Sequence, residues 1–429
     1  MRASFDEEEW YRGAGYKFLI QPFVSSTLGR KDGGFFLPNI LEENMKKKFI
    51  AIVAIASVIF AACGRNDKAN STTKAEGDAL LIGSTFPLTG QYSNYGTSTL
   101  NGIKIAVDEM NAEGGIKGKE IHLESLDDKG ELTDSVTNYH KLVQEGSQAI
   151  IGTNTSTPSL AIAEASVADK IPVITPTGTE ESITKDKENV FRACFTNPYQ
   201  GDLLAIFAKD TLDAKTAAIL VNSASDYSTG IADAFEKKAE ELGIDVVAKE
   251  AYGENDTDFK AQLTSIARKN PDILLIPDYY EKLALITPQA RDANIKAVFL
   301  GGDGWDGILK TMDPSNYDVI QNSYFTNHFS IEDTDPKVQE FIKNYKEKYG
   351  EEPTAFSALG YDTVYILKQG FEKAASDSNE DRNAAIKSLD FKGITGAFKF
   401  DENNNPQKAA SIMKIDKGAY RFDSTINPR

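Results

Sequence analysis

Residues 149–160 read AIIGTNTSTPSL, an apolar run that ends at Gly152 and opens into Thr153, Thr155, Ser156 and Thr157. Small hydroxyls directly after a buried strand have two physical readings. In the first they only start a helix, with Thr157 as the cap and Pro158 at the first helical position. In the second they receive an anion, because hydroxyls and free amides converge at a helix N-terminus. The run by itself leaves both readings open.

Other chemistry finds little footing. The three histidines, His122, His140 and His328, are scattered, and the two cysteines, Cys63 and Cys194, are far apart. Neither set has metal-ligand spacing, and no disulfide framework is implied. No GxSxG turn marks a hydrolase nucleophile, and the histidines fall outside the loops expected to line a cleft. No GxGxxG follows an early strand, as a dinucleotide enzyme would require; Gly83-Ser84-Thr85-Phe86-Pro87 stands there instead. No catalytic residue, metal or cofactor is therefore expected. The chain has 429 residues and a net charge of −17. Such an acidic surface disfavours nucleic acid and anionic membrane faces. The length is more than one compact core usually holds.

The elements that would carry these loops alternate regularly from Leu80. LLIGSTF, EIHLESL, AIIG and IPVITP read as strands, separated by helical spacing around Leu100–Met110 and over residues 133–145 and 158–168. A helix near 199–211 precedes a second series, TAAILV, DVVAKEAY, DILLIP and AVFLG, with helices near 228–242, 257–269 and 280–293 between them. Helices over 335–349 and 357–375 and a strand over 396–400 are expected to return and complete the lobes. Such alternation predicts an α/β fold of two doubly wound parallel-sheet lobes. Ligands of open parallel sheets sit beyond the carboxyl ends of the strands. Six loops end there, and facing lobes would line one cleft with all of them.

The first eighty residues read differently. Met45-Lys46-Lys47-Lys48 precedes the apolar stretch FIAIVAIASVIFAAC, which is short for a membrane span and has signal-peptide design. Ile59-Phe60-Ala61-Ala62-Cys63-Gly64 resembles a lipobox, which implies cleavage before Cys63 and lipid attachment to it. Residues 45–62 are then a lipoprotein signal peptide and 63–79 a polar tether. A signal peptide begins at its own methionine, so Met45 is expected to be the true start and residues 1–44 a mis-assigned upstream segment.

Beyond Leu80 the chain resembles the type I periplasmic binding proteins, most closely the leucine/isoleucine/valine-binding proteins of ABC importers. The resemblance rests on FPLTG (86–90), Tyr95-Gly96, Asn101-Gly102, GGIKG (114–118), Asp127-Asp128, IIGTNTS (150–156), ITPTGT (174–179), Phe191-Arg192, the run from Asp226 to Gly230 and FLGGDGW (299–305). It implies three crossovers between the lobes, which are expected over 80–197 plus 327–409 and over 198–326 plus 410–429. It implies that Ser156 holds a ligand carboxylate, that Thr177 offers a carbonyl to the ammonium and that Thr179 touches both. Tyr95, Tyr227 and Tyr279 match cleft aromatics, Phe356 a side-chain-pocket aromatic, and Asp303 the acid that pairs with the ammonium. The implied role is a monomeric, lipid-anchored, extracytoplasmic protein that hands an amino acid to separate permease and ATPase subunits. An amide, urea, an aromatic acid, a short peptide or a sugar is the alternative on the same fold, and an α/β enzyme the more distant one.

Physical chemistry fits that assignment. A zwitterion in a dry cleft must have both charges answered. Charge-assisted hydrogen bonds contribute roughly 1.5–3 kcal/mol each, and micromolar binding needs roughly 8 kcal/mol. The chain also departs from its relatives, because Asp303 stands where they commonly have Glu. The shorter arm keeps the charge and moves it. Asp278, beside Tyr279, is expected to be solvated, Cys194 to be a small buried apolar residue, and Trp305 to lie at the pocket floor or the hinge.

Overall fold

The computed structural model describes residues 79–426. The readings of residues 1–44, the signal segment, Cys63 and the tether lie outside the described residues.

Five parallel strands build the first sheet: β1 (Leu80–Phe86), β2 (Ile121–Asp127), β3 (Ala149–Gly152), β4 (Val173–Thr175) and β5 (Val190–Arg192), in spatial order β2-β1-β3-β4-β5. Ile82 pairs with Ala149 and Leu80 with Ile121. Strands β3, β4 and β5 are buried throughout. Their mostly apolar runs suit a sheet covered on both faces, with the polar Thr175 and Arg192 at the strand ends. The order turns back at β1, where β2 and β3 lie on opposite sides. Loops diverge at such a switch point and leave room for a ligand.

The second sheet contains β6 (Thr216–Asn222), β7 (Asp245–Tyr252), β8 (Ile273–Leu275), β9 (Val298–Gly301), β10 (Tyr324–Asn327), and later β13 (Ala410–Asp416) and β14 (Ala419–Ile426). Its order is β14-β13-β10-β9-β8-β6-β7. Strands β6 to β10 are parallel, while β13 runs antiparallel to β10 and β14 antiparallel to β13. The sheet is therefore mixed at one side, which the expectation of parallel strands did not include. A Lys417-Gly418 turn with positive φ at both residues joins β13 to β14 as a hairpin. The expected strand at 396–400 is also different in kind. Residues Gly396–Lys399 form β12, which pairs only with β11 (Asp390–Gly393) in a separate hairpin. Phe391 and Phe398 of that hairpin pack into the core under the first sheet.

The chain passes between the two sheets three times: after β5, after β10, and between β12 and β13. Helix Ala355–Lys373 comes after the second passage and packs with the first sheet, since Leu359, Val364, Leu367 and Phe371 share a core with Leu80, Ile82 and Phe86. A reciprocal cap starts it: Ser357 N donates to Thr354 Oγ1 and Thr354 N to Ser357 Oγ. Its contact with helix Ser93–Ala112 is close enough that a Cβ on Gly102 would lie 1.9 Å from the Ser357 carbonyl oxygen. Glycine is required there by sterics rather than by conformation.

Candidate ligand-binding cleft

The hydroxyl loop follows β3. Helix Ser156–Ser166 begins two residues earlier than Thr157 capping would place it: Thr155 is the extended N-cap, its side chain makes no cap bond, and Pro158 falls at the third helical position. That shift makes Ser156 the first helical residue, with an amide that has no partner in its own helix. The other hydroxyls of the run divide their work. Thr153 Oγ1 donates to the buried Asp128 at 2.7 Å and so belongs to the scaffold. Ser156 Oγ lies 3.5 Å from Thr179 Oγ1. Both residues are buried.

The Ser156 amide is received by the phenol of Tyr279, which follows β8 in the second sheet. Tyr279 stacks on Tyr227 with ring centroids 4.6 Å apart and planes 13° from parallel. The Tyr227 hydroxyl donates to Asp303 Oδ1 at 3.0 Å and accepts from Gly304 N at 2.8 Å. Hydroxyls of one lobe and the acid of the other are thus four residues apart in one contact chain, Ser156–Tyr279–Tyr227–Asp303.

Tyr95 and Phe356, both from the first side, stack at 4.1 Å and 9°. Tyr95 meets Tyr279 edge-on at 5.9 Å, and its hydroxyl donates to the Gly304 carbonyl at 2.5 Å. Thr177 joins through Asn154, whose Nδ2 donates to Thr177 Oγ1 and to Thr99 Oγ1; Thr99 in turn donates to the Tyr95 carbonyl. All eight residues singled out in the sequence, Tyr95, Ser156, Thr177, Thr179, Tyr227, Tyr279, Asp303 and Phe356, therefore fall into one connected cluster between the sheets. Tyr95 and Phe356 also share an apolar cluster with Tyr280 and Trp305 of the second side, so the cleft is closed.

Asp303 sits in a glycine-rich turn after β9. A Cβ on Gly302 would lie 2.5 Å from the Tyr227 hydroxyl and 2.8 Å from Gln200 Oε1. Gln200 donates to Asp303 Oδ1 at 3.0 Å and accepts from Asp303 N at 2.9 Å. Gln200 comes from helix Asn197–Asp210, which Thr196 caps. Gly302 is needed there because three side chains, those of Tyr227, Ile231 and Gln200, press on its backbone.

Two expectations are corrected. Asp278 is not solvated: it is 1% exposed, and accepts from Tyr252, from Asn222 Nδ2 at 3.3 Å and from Tyr279 N at 2.7 Å. Burial pushes its carboxyl up to about 6 against those donors. Trp305 lies against the cleft aromatics, in one apolar cluster with Tyr95 and Phe356. It is wholly buried in the second side's core and donates to the Ile276 carbonyl at 2.9 Å. His328 is not remote from the cleft, since its Nε2 lies 3.3 Å from Asp303 Oδ2. Cys194 is a buried thiol, with Sγ 3.2 Å from the Gly178 carbonyl and its pKa pushed up to about 12 by burial.

Residues with no signal in the sequence also shape the site. Asp306 accepts from Ala355 N at 2.9 Å, and Gln200 and His328 hold Asp303. Among the described residues no group of His, Cys, Asp or Glu side chains is arranged to hold a metal ion. No helix among them is long and apolar enough to cross a membrane.

Two α/β lobes joined by three passages, with polar loops meeting between them, define a hinged solute-binding protein. The chain belongs to the periplasmic binding protein family, whose model matches residues 80–419. BraC3 of Rhizobium johnstonii, a Leu/Ile/Val-binding protein, is 30% identical over 347 residues, covering 80% of this chain and 89% of its own length. The leucine-binding protein LivK from Thermotoga maritima is 34% identical with a TM-score of 0.75, covering 82% of this chain and 99% of that one. LivJ from Streptococcus pneumoniae, a branched-chain amino acid transporter substrate-binding protein in complex with isoleucine, is 31% identical with a TM-score of 0.75, over 82% of this chain and 100% of that one. The protein is thus an extracytoplasmic solute-binding protein of the ABC-transporter kind.

Proposed function

We propose that the cleft binds a branched-chain or similar α-amino acid and that the protein delivers it to an importer's permease and ATPase subunits. In this reading Ser156 and Thr179 receive the carboxylate through hydroxyls and the Ser156 amide at the helix start, which the ligand would take over from Tyr279. Thr177 and Thr179 face the ammonium together with Asp303, and Tyr95, Tyr227, Tyr279 and Phe356 enclose the side chain. The observation that carries the reading is the contact chain from Ser156 to Asp303. It sets anion-accepting groups and an acid at opposite ends of one buried cleft, which suits a small zwitterion. The names of the relatives BraC3, LivK and LivJ support the same ligand class.

The lobes over 80–197 plus 327–409 and over 198–326 plus 410–429 would close as two bodies about the three passages. The protein would act as a monomer, held at the outer face of the membrane by a lipid on Cys63 after removal of residues 45–62, with residues 1–44 not part of it. A thermal-shift screen of the purified protein against the twenty amino acids, benzoate, urea and glucose tests the ligand class. Stabilisation by leucine, isoleucine or valine is the expected result. A response to benzoate, urea or glucose with none to any amino acid would leave the fold and remove the amino acid assignment.

A further inference from the structure

Asp303 is 2% exposed, and its oxygens are answered by three side chains. Gln200 and Tyr227 donate to Oδ1, both at 3.0 Å, and His328 Nε2 faces Oδ2 at 3.3 Å. Gln200 and Tyr227 carry no charge, so only His328 could supply a countercharge among these contacts. His328 is wholly buried, stacks on Phe195 at 3.7 Å, and has no hydrogen-bond partner on Nδ1.

The surroundings keep that imidazole neutral. Burial pushes it down to about 4, and the nearby Lys408 ammonium acts in the same sense, while the bond to Asp303 opposes both. Lys408 arrives on the passage between β12 and β13, is itself buried, and donates to Thr395 Oγ1 at 3.1 Å opposite Asp362. From β5 and beyond, Arg192 and the neutral Cys194 thiol lie behind this group. On the other flank Asn327 donates to Asp306. An ionised carboxylate can only accept, so the His328 proton is on Nε2 and Nδ1 is the bare nitrogen. Asp303 is then held by dipoles alone. A buried charge without a countercharge is costly, and a cation entering beside it recovers that cost.

We propose that His328 is a positioning and specificity-determining residue: as a neutral Nε2–H donor it fixes Asp303 while leaving its charge to the ligand, so that the cleft selects a solute bearing an ammonium over the same solute without one. The ligand half of this statement rests on the amino acid reading above. The positioning half does not.

Two measurements test it. Calorimetry compares leucine with its 2-hydroxy analogue in the wild type, His328→Gln and His328→Leu. His328→Gln retains a neutral N–H donor, and His328→Leu retains only packing against Phe195. His328→Leu is expected to weaken leucine about tenfold while changing the hydroxy acid less than about twofold, and His328→Gln to recover most of the loss. Equal weakening of both ligands, or of neither, overturns the specificity role. Nitrogen NMR of the imidazoles needs no ligand and no His328 variant, and the chain has only three histidines to resolve. One ring is expected as the neutral Nε2–H form from pH 7.5 to 5.5, with signals that move in Asp303→Asn. A protonated ring at pH 7, or indifference to Asp303→Asn, overturns the positioning role. A wild type that binds neither ligand yet carries the Asp303-linked signal contradicts the amino acid reading and supports the positioning role.

Discussion

The Asp306 carboxylate accepts a 2.9 Å hydrogen bond from the backbone amide of Ala355. Asp306 follows β9 in the second lobe, and Ala355 opens the long helix packed on the first. The bond therefore ties the two lobes at a helix N-terminus, where a negative charge is favoured. Opening the cleft would have to break it. Asp306→Ala is expected to weaken ligand binding about tenfold, the loss of the inter-lobe charge-assisted bond of roughly 1.5 kcal/mol, and to lower the melting temperature modestly because the buried Asn327 donor also loses its partner. Calorimetry with leucine and small-angle scattering check it, the scattering by a smaller ligand-induced compaction.

Asp278 makes a pH-dependent contribution. Burial raises its folded-state pKa to about 6, above its ordinary value of 3.8. A carboxyl raised in this way stabilises the fold below its unfolded pKa, and that contribution is lost as pH rises from about 4 through about 6. Asp278→Asn carries no such term. The stability of the variant relative to the wild type should therefore increase between pH 4 and pH 7, by roughly 2–3 kcal/mol for a shift of this size. Its absolute offset also contains the lost bonds from Tyr252 and Asn222, so the slope is the quantity to read from denaturation at several pH values. A flat difference would show that the carboxyl titrates normally.

Gly302 offers a steric test of the acid's setting. A methyl group there meets the Tyr227 hydroxyl and Gln200 Oε1, two of the atoms that hold Asp303. Gly302→Ala is expected to weaken leucine at least tenfold while the protein stays folded, because the displaced atoms are side-chain ends around a turn. Titration calorimetry beside circular dichroism separates the two effects.

The proposed lipid anchor rests on Cys63. Cys63→Ala is expected to move the protein from the membrane fraction to the soluble one and to abolish incorporation of labelled fatty acid. One acyl chain anchors only marginally, so full retention by the wild type requires more than one chain on the residue. Mass spectrometry of the mature N-terminus checks the modification, and N-terminal sequencing of the unprocessed precursor checks whether residues 1–44 are made.

Much of the scaffold could be read from the chain because its signals are local. LLIGSTF and AIIG are largely buried strands whose neighbours lie on both faces, so their sequences are mostly apolar and their few polar residues are small. Motifs at strand ends, such as IIGTNTS and FLGGDGW, mark the cleft because small residues there admit close approach. The unread parts depend on distant partners. Strand β10 has four residues and β14 keeps an exposed face, so neither carries a strong apolar pattern. His328 follows β10, and with that strand unseen nothing placed the histidine beside Asp303. Asp278 looked like a surface acid because its donors, Tyr252 and Asn222, lie 26 and 56 residues away. The start of the helix at Ser156 turned on two residues of loop geometry, which composition does not encode.

The central claim is that one small zwitterion is gripped at both poles across the cleft. The direct measurement is calorimetric titration of the wild type, Ser156→Ala and Asp303→Asn with leucine, with 4-methylpentanoate, which lacks the ammonium, and with 3-methylbutylamine, which lacks the carboxylate. The account predicts micromolar or tighter binding of leucine by the wild type, at least a hundredfold weaker binding of either analogue, and a large loss for leucine in both variants. Analogue affinities equal to that of leucine, or variants that bind it like the wild type, would contradict it.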